Sequence, residues 1–297
     1  MHRRAGFTLV ELLVALVISG ILATVIFQVI QGQGRFVQYQ NARGSVQQST
    51  RGGLELLTSE LRAVPAAGII AARKHSIGVR VPLTWGIVCR DASSTSGSLH
   101  VAVPVQPVAY AGADAKWSRI VVDMSAPGDP PRWSNLVDVA AVAAGSSSCN
   151  GTPLPAGSEM RAFTVSATPT DPSTNAAAVA GNRVLFFEWI IYSAVSDGTT
   201  GETWIVRQRG NNTTPEKVAQ AVPDAALLGG QGLEFLYYTD AGGNTPLPTV
   251  DGVELSEADK AATRRVGVIM ATQSRRKVGS EYQQQVDTSF VFLRNRP

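Results

Sequence analysis

Glu11 is the residue whose placement asks for chemistry, because it is a carboxylate in an otherwise almost unbroken apolar run from Phe7 to about Ile30. Membrane-insertion scales put the cost of an acidic group at the middle of a span at roughly 3 kcal/mol, and less near its end. An ionisable side chain in such surroundings implies a specific partner. The residues before the run, Met1-His2-Arg3-Arg4-Ala5-Gly6, are short and basic. Arg3 and Arg4 predict that this end stays in the cytoplasm while the chain beyond the run is exported. The other reactive side chains are dispersed. Cys89 and Cys149 form no close-spaced metal or redox motif, and His2, His75 and His100 are scattered, so no zinc site is expected. In an exported body the even cysteine pair reads as one bridge closing a long loop, with two unpaired thiols as the alternative. Loop-entropy arithmetic values such a bridge at roughly 4 kcal/mol. No Gly-rich phosphate loop, G-x-S-x-G elbow, H-E-x-x-H or paired-carboxylate motif is present. The expectation is a protein that is not an enzyme and uses neither cofactor nor metal.

The element that must carry Glu11 is a helix. A bilayer is crossed by about 20 apolar residues at 1.5 Å each, so the segment 7–30 is long enough to span. An ordinary secretory signal has a shorter apolar core and a small-residue cleavage site, of which Ser19-Gly20-Ile21-Leu22-Ala23 is a poor version. A plain membrane anchor is the simpler alternative. Beyond Ile30 the chain turns polar but stays compatible with helix to about Val64, with no proline until Pro65. Over 31–65, Leu54, Leu57, Leu61 and Val64 recur at three- and four-residue spacing, which predicts an amphipathic stalk with one face against a body. Glu55, Thr58, Glu60 and Arg62 fall mainly on the other faces. Gly32, Gly34, Gly44, Gly52 and Gly53 each weaken a helix by up to about 1 kcal/mol, so a bend or partial melting is expected between them.

The body, 66–297, reads as strands and turns from about Ile77 onward: short β-branched runs separated by Gly, Pro, Asn, Asp and Ser. Candidate strands are Ile77 to Val81, Leu99 to Val103, Arg119 to Asp123, Val184 to Tyr192, Thr203 to Arg207, Leu233 to Tyr238, Val266 to Ala271 and Thr288 to Leu293. The fold class is therefore α+β, a long N-terminal helix packed on antiparallel sheet. Between about 91 and 182 the chain is rich in Ala, Ser, Pro and Gly and reads as a loop-rich insertion rather than a second catalytic domain.

The stretch Gly6-Phe7-Thr8-Leu9-Val10-Glu11-Leu12-Leu13-Val14-Ala15-Leu16 resembles the signal sequence of type IV prepilins and type II secretion pseudopilins. The resemblance implies a leader of residues 1–6, cut after Gly6 by a membrane peptidase that also N-methylates Phe7, with Glu11 guiding assembly. The chemistry is coherent. A glycine before the cut lets the backbone extend into a narrow active site. Cleavage frees an α-amino group, largely protonated at neutral pH, that can neutralise Glu11 of an adjacent subunit. Leaving either charge unpaired in apolar surroundings is strongly unfavourable, so the pair can enforce register. Major pilins often carry a helix-breaking proline where this chain has Gln28, a departure that agrees better with a minor subunit. Further on, Tyr192, Glu202-Thr203-Trp204-Ile205-Val206-Arg207-Gln208, Leu227-Leu228, Gly232-Leu233-Glu234-Phe235-Leu236-Tyr237-Tyr238 and a final hairpin near Val266 to Thr272 and Val286 to Arg294 loosely resemble J-type pseudopilins and PilW-like minor pilins. This implies a tip-located minor subunit of a pilus or pseudopilus. Its partners would be other minor and major pilins or pseudopilins, the prepilin peptidase and, before assembly, the inner membrane. The chain would cross that membrane once, with its body in the periplasm and later at the cell surface. Secretion, fibre assembly or DNA uptake in competence would be the supported process.

Charge narrows the alternatives. With 26 basic and 23 acidic residues the formal net charge is +3, and the charged fraction of 16% is low against the roughly 25% of typical soluble domains. That excess does not by itself imply nucleic acid. Arg264, Arg265, Arg275, Arg276, Lys277, Arg294 and Arg296 cluster near the C-terminus; the plainer reading is a solvated hairpin face diluted by Glu281 and Asp287, with DNA as an alternative partner. Adhesion through the Ser/Thr/Gly-rich insertion is a further alternative, and no ligand is legible in it.

Overall fold

In the computed structural model, the described residues are 8–65, 68–90, 98–104, 121–123, 133–140, 148–149, 152–153, 158–165, 183–210, 214–223, 228–240 and 242–293. Thr8 opens the first helix as its N-cap and Glu11 closes a capping box with it, which satisfies two backbone donors of the first turn. The helix, α1, runs unbroken from Leu9 to Ala63, and Pro65 lies just beyond its C-cap, Val64. The helix does not melt at the glycines. Flanking residues of good helix propensity and, from Val46 on, the packing of one face carry the helix through them.

Among the described residues, fourteen strands come after the helix. The first sheet contains β1 (Ile69–Arg73), β2 (Ser76–Arg90), β3 (Ser98–Pro104), β4 (Val121–Asp123), β5 (Trp133–Ala140), β8 (Ser158–Val165), β9 (Arg183–Ser196), β10 (Thr203–Arg209) and β11 (Glu216–Gln220). A small hairpin pairs β6 (Ser148–Cys149) with β7 (Thr152–Pro153). The second sheet is β12 (Leu233–Tyr238), β13 (Arg265–Gln273) and β14 (Gln284–Phe292), with a short helix α2 (Glu257–Ala262) before β13. All eight predicted strands overlap observed ones; β1, β5, β6, β7, β8 and β11 were not anticipated.

The axis of the first sheet is the long antiparallel pair of β2 and β9, which runs from Ser76↔Ser193 to Ile87↔Arg183 with one register shift between Pro82 and Thr84. Near the Ser76 end of this pair, β1 and β10 flank it and β11 adds an outer edge. Toward its other end the flanks are β3 and β4. There β3 pairs with β8, β8 with β5 and β5 with β4, so six strands return to their starting pair and close a ring. The segment 91–182 thus supplies four strands to the same sheet. Two of these, β3 and β4, match predicted strands; β5 and β8 were missed because Ala, Ser and Gly in the segment blur the period-two pattern by which strands are read.

The core lies where α1 crosses the lower part of the first sheet and the second sheet. Leu57, Leu61, Val64, Ile77, Val79, Tyr192, Ile205, Phe235, Tyr237, Val266, Val268 and Met270 form one buried cluster. The predicted stripe is buried, but two residues assigned to other faces are not free: Thr58 is buried and Glu60 is half-buried. Gly53 permits the close approach, because a Cβ there would stand 3.0 Å from Val218 and 3.1 Å from Met270.

Candidate assembly interface

Along α1 the chain provides apolar surface with no partner of its own. Leu9, Val10, Leu12, Leu13, Leu16, Ile21, Phe27 and Ile30 are all more than half exposed, and Val46 is the first core residue. From Leu9 to Val46 the axis rises about 55 Å at 1.5 Å per residue. Within it lies one window long and apolar enough to cross a membrane. Sheet packing cannot explain such a surface, since none of it meets the sheets. A surface of this kind suits lipid or other helices.

Glu11 sits in the first turn of this surface. Its carboxylate accepts from the Thr8 backbone N–H at 3.0 Å and from the Thr8 hydroxyl at 2.9 Å, while Thr8 Oγ1 accepts from the Glu11 N–H at 3.4 Å. Within one subunit the acid is thus held against the helix start, where the positive end of the helix dipole favours it. A carboxylate has further lone pairs to offer a cation arriving from outside. Thr8 was not among the residues expected to act, although its Thr-x-x-Glu spacing is the signal that marks such a cap. Arg3, Arg4, Gly6 and Phe7 lie outside the described residues.

A second polar constellation fixes the stalk to the body. Arg207 on β10 forks onto the Glu60 carboxylate with its Nε (3.1 Å to Oε1) and Nη2, and its Nη1 donates to Glu216 at 2.9 Å. Tyr192 on β9 donates its hydroxyl to Glu60 at 2.6 Å. Burial, then the adjacent carboxylate, pushes the Tyr192 hydroxyl well above its ordinary pKa, so it stays a donor. Burial works against the Arg207 charge, but Glu60 outweighs it and holds the guanidinium more firmly protonated than usual. No sequence signal marks this group, because 147 positions separate Arg207 from Glu60.

The remaining site residues are dispersed. Cys89, near the end of β2, is joined to Cys149 of the β6–β7 hairpin by a disulfide with Cα atoms 4.9 Å apart. His75 donates from Nδ1 to the Leu233 carbonyl at 2.7 Å. Arg275, Arg276 and Lys277 stand exposed in the β13–β14 turn, beside a cleft of about 680 Å³ between that turn, β11 and the helix from Gln38 to Ser49. Arg294 and Arg296 of the basic cluster lie outside the described residues.

A family model for the prokaryotic N-terminal methylation motif matches residues 1–27. That motif, the long apolar helix and the antiparallel body are together consistent with a type IV pilin-like protein. No curated protein and no solved structure matches the chain.

Proposed function

We propose that the chain is a structural minor pilin or pseudopilin, made as a precursor, cut between Gly6 and Phe7, methylated at Phe7 and built into a fibre through α1. The methylation motif supports a processed, pilin-like protein, and the apolar surface of α1 that the body leaves uncovered carries the reading further. Before assembly the segment 7–30 rests in the inner membrane, oriented by Arg3 and Arg4, with 31–65 as stalk and 66–297 as a periplasmic body. Extraction exchanges lipid for neighbouring helices. Glu11 then meets the terminal amine of an adjacent subunit, and a mispaired register leaves a charge buried in apolar surroundings. The large body and the absence of a proline at Gln28 support a minor subunit placed at the tip rather than a bulk one.

The test is mass spectrometry of the protein from its native cells. The expected N-terminal peptide begins at Phe7 and carries one methyl group, and Glu11→Ala leaves processing intact but removes the chain from sheared fibres. An uncut leader on assembled material defeats the proposal.

A further inference from the structure

The polar part of α1 has an uneven charge. From Gln31 to Leu54 it carries Arg35, Arg43 and Arg51 and no carboxylate. All three arginines are exposed. The β13–β14 turn sets Arg275, Arg276 and Lys277 beside the cleft that reaches down the helix to Gln38. Among the described residues no carboxylate lies within ion-pair distance of these three; Arg275 and Lys277 rest instead against the rings of Trp204 and Tyr282, at 5.5 and 5.3 Å. Glu281 is the single acid in the turn. At about 100° per residue Arg35, Arg43 and Arg51 fan round the helix away from the residues that line the cleft, so the cations of helix and turn ring the end of the body that joins the apolar segment, and that end is its cationic face.

Distance along the helix decides what can meet that face. With the apolar run ending at Ile30, Arg35 stands about 7 Å and Gln38 about 12 Å beyond it at 1.5 Å per residue. The headgroup layer occupies roughly 5 to 7 Å on each side of the hydrocarbon. Arg35 therefore reaches the phosphates, and the turn lies within one long side chain plus a screening length of about 8 Å from them. Basic residues next to a span are drawn to anionic lipid by this geometry.

Resting on the pilin-like reading above, we infer that this face docks on the anionic phospholipid headgroups of the outer leaflet while the subunit waits in the membrane. The contact holds the body upright over its own anchor, and it is broken when the helix is drawn out. It gives the unassembled subunit a dependence on lipid charge that the apolar helix alone lacks.

The experiment uses the full processed chain in nanodiscs of phosphatidylcholine alone and of phosphatidylcholine mixed equally with phosphatidylglycerol. Amide exchange is followed over 274–283 and 35–49. Exchange in both segments should slow about tenfold in the anionic discs and recover in high salt. Arg275→Gln/Arg276→Gln/Lys277→Gln should abolish the difference in the turn, and Arg35→Gln/Arg43→Gln, far from the core, should weaken it if the triple variant folds poorly. Equal exchange in the two bilayers overturns the inference. So does slowing by soluble glycerol phosphate in neutral discs, which marks a small-anion site, or slowing that requires a second pilin subunit, which marks a protein interface. The N-terminal mass of the same preparation separates the two readings. A cut and methylated chain indifferent to lipid charge removes only this inference, whereas an uncut chain that responds to it removes only the pilin reading.

Discussion

The two ends of α1 are one continuous helix with two different side-chain patterns. From Leu9 to Ile30 its side chains are mostly apolar all round and none meets the body; from Val46 to Val64 one face is apolar and buried and the other is wet. The upper end is stabilised by what it touches within the chain. The lower end makes no packing contact with the described sheets, and under the proposed function its side chains answer to a bilayer or a fibre instead. Substitutions should therefore separate folding from assembly according to their position along a single element.

The largest expected contrast is between Leu61 and Leu16. Leu61→Ala should cost about 3 kcal/mol in denaturant unfolding of the detergent-solubilised chain, because it empties a fully buried site. Leu16→Ala should stay within about 0.5 kcal/mol by the same measurement, and its effect should appear only in fibre yield. Equal losses at both positions would mean that the lower helix has a partner within the chain.

Glu60→Gln tests whether the polar clamp belongs to the upper regime. Arg207 would keep Glu216 but lose its bidentate partner, and Tyr192 would lose a charged acceptor. Loss of one member of a buried pair commonly costs about 3 to 5 kcal/mol, and the retained Glu216 should hold it to about 2. A Glu60→Gln variant as stable as the parent would show that apolar packing alone seats the helix.

The finest test uses adjacent glycines. A Cβ on Gly52 meets nothing within 4 Å, so Gly52→Ala should add up to about 1 kcal/mol of stability. A Cβ on Gly53 meets Val218 and Met270 at 3.0 and 3.1 Å, and crowding of about 1 kcal/mol or more should cancel the same gain. If both variants gain equally, the upper helix is less tightly seated than its burial implies.

The legibility of each feature depends on how far its interactions reach along the chain. The helix was legible because Leu54, Leu57, Leu61 and Val64 repeat within one element and Pro65 ends it. Strands such as β12 and β13 were legible from Val, Leu, Phe and Tyr in short runs. The strand β5 was hidden by its weak, alanine-containing pattern, and β11 by its charged start, Glu216-Lys217. The Glu60–Arg207–Tyr192 group was illegible in principle, since its members meet only after the sheet has formed. At the interface, Glu11 announced itself by its surroundings, whereas Thr8 was readable from spacing alone.

The six-strand ring has a consequence for how such a body is built. It starts and finishes on the same pair, β2 and β9, and the disulfide clasps its rim at Cys89. Every one of its strands has two neighbours in the circuit, so among the described residues the ring offers no unpaired strand border to a stray chain. Enlargement or trimming there leaves the helix seat untouched. Ile77, Val79 and Tyr192, which pack in the helix core, lie at the opposite end of the β2–β9 pair, so the two halves of the body answer to different constraints.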